Sequence, residues 1–202
     1  MKKSFILLAW IVFAISIYAN TGTIKLQSAP ASVELTKSSN DGISVRYSLN
    51  TLNYVEVESQ EGVWTKMSVP EYTTTNEIGM PALPLNRQLI SVPVGASVHP
   101  RIVTATTQKI ALSQKGLNFP LIPYQESVSK SDVPSRLPFS VNRDFYNGKN
   151  STSVSTVKVE ELGYIRGERI FALDFVPMSY NPDTKEIELI VSAQIDVSFD
   201  GA

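Results

Sequence analysis

The sequence has 202 residues, with 18 basic and 19 acidic side chains, one histidine and no cysteine. The lack of cysteine excludes a disulfide scaffold, a thiol nucleophile, thiolate metal sites and lipid attachment at a cysteine behind a signal. The length suits one hydrophobic core, and a near-neutral charge without a basic block argues against a nucleic-acid partner.

In chain order, the first segment must be set aside. Lys2 and Lys3 precede an apolar run from Phe5 to Ile17 broken only by Ser16, and Ala19 is a small residue ahead of the polar Asn20-Thr21-Gly22. Basic, apolar, then small is the order of a secretory signal. Ile17 is larger than usual for its place before the cut, but the apolar core is shorter than the roughly 20 residues of a membrane span. The expectation is a signal peptide over 1–19, a domain over 20–202, no membrane attachment after cleavage, and a secreted or periplasmic location in a bacterium. Loss of Lys2 and Lys3 leaves 16 basic against 19 acidic residues, a net charge of −3.

Strand signals follow. Ile43, Val45, Tyr47 and Leu49 alternate with other residues in the period-two pattern of a half-buried strand. Tyr54–Val57 and Val63–Val69 continue, with Gln60-Glu61-Gly62 as the turn between them. Leu89–Val94 comes next, then Arg101–Ala111, whose Thr104, Thr106 and Thr107 suit a pleated surface. The last stretches are Val157–Tyr164, Ile170–Met178 and Ile187–Phe199. In Tyr180–Lys185, Pro182 presets φ while Asn181 and Asp183 can bond their own backbone, which reads as a hairpin turn. The predicted fold is all-β, a monomeric antiparallel β-sandwich of jelly-roll-like type with one long Pro-rich loop.

That loop is the stretch 113–152, carrying Pro120, Pro123, Pro134 and Pro138. Prolines at this density deny ladder hydrogen bonds. So long a connection is either functional or a disordered spacer.

Catalytic chemistry is missing. His99, in Val98-His99-Pro100, reads as a loop histidine, with no cysteine to pair and too few partners for zinc. Glu160 and Glu161 are neighbours, so on a strand they face opposite ways. No Gly-rich phosphate loop or nucleophile elbow is present. Trp64, the only tryptophan beyond the signal, fits a core or cross-strand position better than a sugar platform. Asn150-Ser151-Thr152 is a glycosylation triplet, relevant only where the organism uses that pathway. The reading is of a chain that is not an enzyme by itself, with no catalytic residues, no metal and no cofactor.

Two clusters carry a resemblance. Gly79-Met80-Pro81-Ala82-Leu83-Pro84 leads into Leu89-Ile90-Ser91-Val92-Pro93, and Phe175-Val176-Pro177-Met178-Ser179-Tyr180 runs into Asn181-Pro182-Asp183-Thr184-Lys185. Together they resemble the N-terminal propeptide of gingipain-type (family C25) cysteine peptidases, with similarity from about Ile43 to Phe199. Gly79 and its prolines read as scaffold, presetting a tight, low-entropy lead into a strand.

The resemblance implies a propeptide that keeps a secreted cysteine endopeptidase latent and assists its folding. Its partner would be the cognate catalytic domain, in cis or in trans. In such a precursor that domain would begin beyond Ala202, so the chain is expected to be a fragment, a separately expressed propeptide or a trans-acting relative. The resemblance also implies a basic residue that fills the protease's specificity pocket. Ser127–Phe139 is similar to the segment that carries it, and Lys130 stands at that position, between Ser129 and Ser131, with Arg136 as the runner-up. Inhibitory anchor, cleavage site and plain solvated lysine remain open for Lys130. The inhibitory version is substrate mimicry: extended main chain along the cleft and one long cation in an acidic pocket, with prolines lowering the ordering cost. The alternative function is a secreted β-sandwich binding module for carbohydrate or a cell-surface protein, because a sandwich hosts both.

Overall fold

The computed structural model, which describes residues 20–127, 138–148 and 157–201, has twelve strands among those residues, most of them carrying alternating apolar side chains. They are β1 Thr21–Lys25, β2 Ser32–Ser39, β3 Gly42–Ser48, β4 Thr51–Ser59, β5 Gly62–Ser68 and β6 Thr73–Thr74. The rest are β7 Pro84–Val92, β8 Ser97–Ala111, β9 Val157–Ile165, β10 Glu168–Phe175, β11 Met178–Asn181 and β12 Glu186–Asp200. Every pairing between named strands is antiparallel.

Three sheets result. One has the order β1-β4-β5, the second β6-β7-β10-β9, and the third is organised on β12. β8 pairs along one edge of β12, while β11 and then β3 pair along the other, with β2 outside β3. The second and third sheets face each other. Ile43, Val45 and Tyr47 of β3 and Ala193, Ile195, Val197 and Phe199 of β12 pack with Ile90 and Val92 of β7 and Phe171, Leu173 and Phe175 of β10. The Tyr47 and Phe175 rings lie 4.6 Å apart at their centroids. A second core gathers Ile24, Leu52 and Met67 of the first sheet around Met178, Tyr180, Ile187, Leu189 and Val191. Full burial of one such side chain contributes about 1.5–3 kcal/mol. β12 joins the two cores because its odd-numbered residues face inward along its whole length. The expected all-β sandwich is the observed fold.

The turns follow their residues. Gln60 and Glu61 connect β4 to β5. Asn181 Oδ1 accepts from the backbone N–H of Asp183 at 2.9 Å and of Thr184 at 3.3 Å, fixing the β11–β12 hairpin. Arg166 and Gly167, at φ +53° and +88°, make the two-residue turn from β9 to β10.

Four details differ from the sequence reading. Ile170–Met178 is not one strand: it breaks at Val176-Pro177, where the chain leaves the second sheet for the third. β1, β2 and β6 were not anticipated: β2 is exposed almost throughout and has no buried face to create a pattern, and β6 has only two residues. His99 stands in β8, not in a loop, and Pro100 beside it is tolerated because β8 pairs along one edge only. The Pro-rich stretch is not a single loop either, since both its flanks dock on the core.

Candidate functional site: the anchored base of the Pro-rich segment

After β8 the chain makes a 3-10 turn, Leu112–Lys115, ending at Gly116 with φ +74°. Leu117 and Leu121 then bury in the second core. Prolines 120 and 123 cannot donate, so this arm is held mainly through its carbonyls and through the few N–H groups between them. The Thr65 N–H donates to Pro120 O at 2.8 Å and the Ile122 N–H to Thr65 O at 2.9 Å. The Ala82 N–H reaches Ile122 O at 2.9 Å, the Tyr124 N–H reaches Met80 O at 2.7 Å, and the Gly79 N–H reaches Tyr124 O at 2.9 Å. The Gly-Met-Pro-Ala segment is thus the rail along which the outgoing arm runs.

The returning arm uses the same rail. The Asn142 N–H donates to Gly79 O at 3.0 Å. Asn142 then caps a single helical turn, α1 Arg143–Tyr146, by accepting from the Phe145 N–H at 3.0 Å. Phe145 is 2% exposed and belongs to the core, and Tyr146 Oη donates to Leu121 O at 2.8 Å, tying return to departure. Trp64 of β5 stacks near Phe139 at 5.6 Å and edge-on to Tyr146 at 5.5 Å. Arg143 meets Glu61 of the β4–β5 turn at 2.5 Å. Trp64 is 6% exposed, with its Nε1–H donated to Ser59 Oγ at 2.9 Å. It is a core residue, as the sequence indicated, and the sugar-platform alternative loses its aromatic face.

Gly79 serves both arms and must be glycine. Its φ is +79°, and a β-carbon there would lie 3.0 Å from Asn142 N and 3.3 Å from Val141 C. Above this point the mouth is closed by one side chain. Gln125 Oε1 accepts from the Ser140 N–H at 2.8 Å, while Nε2 donates to Ser140 O at 2.9 Å and to Pro123 O at 3.0 Å, with a longer approach to Tyr124 O of 3.3 Å. Gln125 and Ser140 are thereby joined at one place on the sandwich. The candidate residues Lys130, Ser129, Ser131 and Arg136 belong to this excursion and lie outside the described residues, as do the signal 1–19 and the Asn150 triplet.

Beside Tyr124 and Met80 opens a cleft of about 580 Å³. Its floor holds Asp174, 1% exposed, which accepts two hydrogen bonds from Arg87 at 2.6 and 2.7 Å and lies 3.9 Å from Lys158. Those bonds to Asp174 hold the Arg87 guanidinium protonated above its ordinary range, against the opposing effect of burial. Glu160 faces Arg87 at 3.9 Å, whereas Glu161 pairs with Arg169 at 2.8 Å, so the neighbouring carboxylates do point apart. The hydrogen bonds from Arg169 hold the Glu161 carboxyl below its ordinary value. His99 lies 3.7 Å from Asp200 on the surface. Among the described residues no group of three His, Cys, Asp or Glu side chains could hold a metal ion.

Sequence reasoning missed Gln125, Ser140 and the Arg87–Asp174 pair. Nothing local distinguishes Gln125, whose role depends on a residue fifteen positions away. The α1 turn left a trace in Asn142-Arg143-Asp144-Phe145, a capping residue ahead of an acidic first turn and a buried aromatic.

The fold is an antiparallel β-sandwich on which both arms of the Pro-rich stretch are tied. Residues 23–202 match the family model Propeptide_C25, and the chain belongs to that propeptide family. It is 34% identical over 202 residues to Lys-gingipain of Porphyromonas gingivalis strain W83, covering 100% of this chain and 12% of the relative. To Gingipain R1 of Porphyromonas gingivalis it is 22% identical over 170 residues, 82% of this chain and 16% of the relative. The chain thus spans about an eighth of the Lys-gingipains it matches. Its fold matches a solved structure bearing on the zymogenic latency of gingipain K from Porphyromonas gingivalis, with TM-score 0.82 and 34% identity over 91% of this chain and 100% of that one. A complex of the Porphyromonas gingivalis RgpB pro- and mature domains matches at TM-score 0.71 and 19% identity, over 82% and 84%, a likeness of fold.

Proposed function

We propose that this chain is the exported latency domain of a C25 cysteine peptidase: it binds the peptidase domain, blocks its cleft and assists its folding. The observation that carries the reading is the anchored excursion in a member of the C25 propeptide family. Residues 126–139 include a basic residue among prolines, and both ends are tied to one rail on the sandwich. A segment held at both ends loses less entropy on binding than a free one. Lys130 is the anchor in this reading, its ammonium paired with an acidic specificity pocket and its main chain extended along the cleft. Ser129 and Ser131 flank it with small side chains in the same reading, and Arg136 is the second basic candidate. The sequence 1–19 directs export in the same reading.

The test uses purified residues 20–202 and the cognate peptidase domain. Titration of one into the other is expected to give nanomolar inhibition, because protease–inhibitor interfaces of standard size, on the order of 1,600 Å², reach that range. Refolding of the peptidase domain in its presence is expected to raise the yield of active enzyme. Full activity at micromolar excess of this chain would contradict the proposal.

A further inference from the structure

We infer that the cleft beside Tyr124 and Met80 is a contact site for the peptidase domain, taking an extended segment of that domain whose main chain pairs with the open edge of β6 and whose carboxylate meets Arg87 and Lys158; this inference rests on the function proposed above. The edge follows from the register. Thr73 lies opposite Leu85 and Thr74 opposite Pro84, and the Thr75 N–H donates to Leu83 O at 2.9 Å. Main-chain groups along an antiparallel pair alternate between facing the partner and facing away. Thr73 and Thr75 therefore face β7, while the N–H and carbonyl of Thr74 face away from it, opposite a proline that has no N–H. β6 ends its sheet, so β7 is its one strand partner among the described residues. The ladder then stops for a local reason. The Leu83 N–H donates to Thr75 Oγ1 at 3.0 Å, and that hydroxyl donates to Pro81 O at 3.1 Å, so a side chain stands where the next main-chain carbonyl would accept. Residues 75–77 leave β7 there and wall the cleft.

The charges decide which side chain fits. Asp174 is 1% exposed and both its oxygens accept from Arg87, so it offers a ligand nothing directly. Its effect is to hold the guanidinium in one orientation, with Nε and Nη2 committed and Nη1 left for a ligand. The Arg87 side chain is 43% exposed and that of Lys158 61%, and both line the cleft. Lys158 stands 3.9 Å from Asp174, beyond hydrogen-bond length, so its ammonium keeps donors to give. The other acidic residue of the lining is Glu77, which is exposed, and Glu160 lies outside the lining, 3.9 Å from Arg87. Within the cleft the accessible cations thus outnumber the accessible carboxylates, and an incoming carboxylate finds two charged donors. An arginine fork fixed by a buried acid is preorganised, and arginines so placed carry much of the energy of protein interfaces. Arg87 lies about 10 Å along β7 from Pro84, within the span of a short extended segment that also pairs at Thr74. A volume of about 580 Å³ is in the range that encloses a ligand of this size.

The experiment has two arms, both with residues 20–202 and the cognate peptidase domain. In the first, hydrogen exchange of residues 73–77 is followed by mass spectrometry with and without a saturating amount of the peptidase domain. Exchange there is expected to slow several-fold in the complex, because an added strand takes the Thr74 N–H out of water. In the second, inhibition constants are compared for wild type, Thr74→Pro, Lys158→Glu, Lys158→Arg and Lys37→Glu. Proline is tolerated at a sheet edge but cannot donate, so Thr74→Pro is expected to weaken inhibition roughly 3- to 10-fold, one net hydrogen bond. Lys158→Glu repels the carboxylate and is expected to cost about 10-fold or more, while Lys158→Arg keeps the charge and is expected to stay within about 3-fold of wild type. Lys37→Glu makes the same change of net charge on the exposed strand β2 and is expected to stay within about 2-fold. Melting curves accompany each variant, and the Lys158 series decides the matter if Thr74→Pro does not fold. An inhibitory complex that leaves residues 73–77 unprotected, or in which Lys158→Glu costs no more than Lys37→Glu, would overturn the site alone. If the wild-type chain neither binds nor inhibits, the proposed function fails, and the site falls with the partner that defines it.

Discussion

The Asp183 carboxylate occupies the space that a β-carbon on residue 148 would fill. Gly148, at φ +74°, ends the returning arm, and Asp183 belongs to the β11–β12 turn that helped to mark the family. The hairpin turn and the returning arm therefore touch at this point. Gly148→Ala adds both a left-handed strain of about 1–2 kcal/mol and a collision with that carboxylate. The variant is expected to lower the free energy of unfolding measured in urea by about that amount, and Gly148→Ala combined with Asp183→Gly is expected to recover any part that comes from the collision. An unchanged midpoint in the single variant would separate the two elements.

The Arg87–Asp174 pair allows a second prediction. Asp174 is almost fully buried, so truncating its partner leaves a carboxylate served only by Lys158 at 3.9 Å. Breaking a buried pair costs about 3–5 kcal/mol, and the partial exposure of Arg87 reduces that to roughly 1–3. Arg87→Ala is expected to be destabilised by that amount in equilibrium urea unfolding. Asp174→Ala combined with Arg87→Ala is expected to be milder than Arg87→Ala alone, because no buried charge is left behind.

Four tyrosines predict the response to alkali. Burial, the leading cause in each case, raises the hydroxyls of Tyr47, Tyr72 and Tyr146 well above the ordinary value of 10.0, and pushes that of Tyr180 up to about 12. A group whose folded pKa is raised stabilises the fold fully below its unfolded pKa, and that contribution falls as pH rises through the folded value. Stability is thus expected to decline above about pH 10. Tyrosinate absorbance at 295 nm from these four should appear together with loss of near-ultraviolet dichroism. Full titration of all tyrosines with the dichroism intact would contradict their burial.

The strand order makes a fourth prediction. β6 and β7 precede the excursion and β9 and β10 follow it, yet they form one sheet; β3 and β8 likewise pair with β12 across it. A cut inside residues 126–139 is expected to leave two pieces held together by these ladders and by a shared core. After limited trypsin treatment they should co-elute in size-exclusion chromatography and separate only in denaturant. Separation in native buffer would show that the halves are not interlocked.

These properties were unevenly visible in the sequence. The half-buried strands declared themselves because one face meets a core, as in Ile43, Val45 and Tyr47. β2 did not, because neither of its faces does. The Asn181–Lys185 turn was legible from its own residues, since Asx bonding and proline geometry are local. Gly79 was recognised as scaffold, but the reason it must be glycine, the close passage of Asn142, is set by chain more than sixty residues away. Gln125 and Asp174 are useful only through distant partners, and no local pattern announces such a pair.

In the proposed function, Lys130 is the group by which this chain would block a C25 peptidase. The most direct measurement is the inhibition constant of residues 20–202 against the cognate peptidase domain for wild type, Lys130→Ala, Lys130→Arg and Arg136→Ala. A cation buried in an acidic pocket is worth about 2–5 kcal/mol, so Lys130→Ala is expected to weaken inhibition roughly 30- to 5,000-fold. Arg136→Ala is expected to cost about 1 kcal/mol or less, as for a solvent-screened charge. Lys130→Arg reports whether the pocket accepts a planar guanidinium in place of a compact ammonium. Equal constants for wild type and Lys130→Ala would contradict the account.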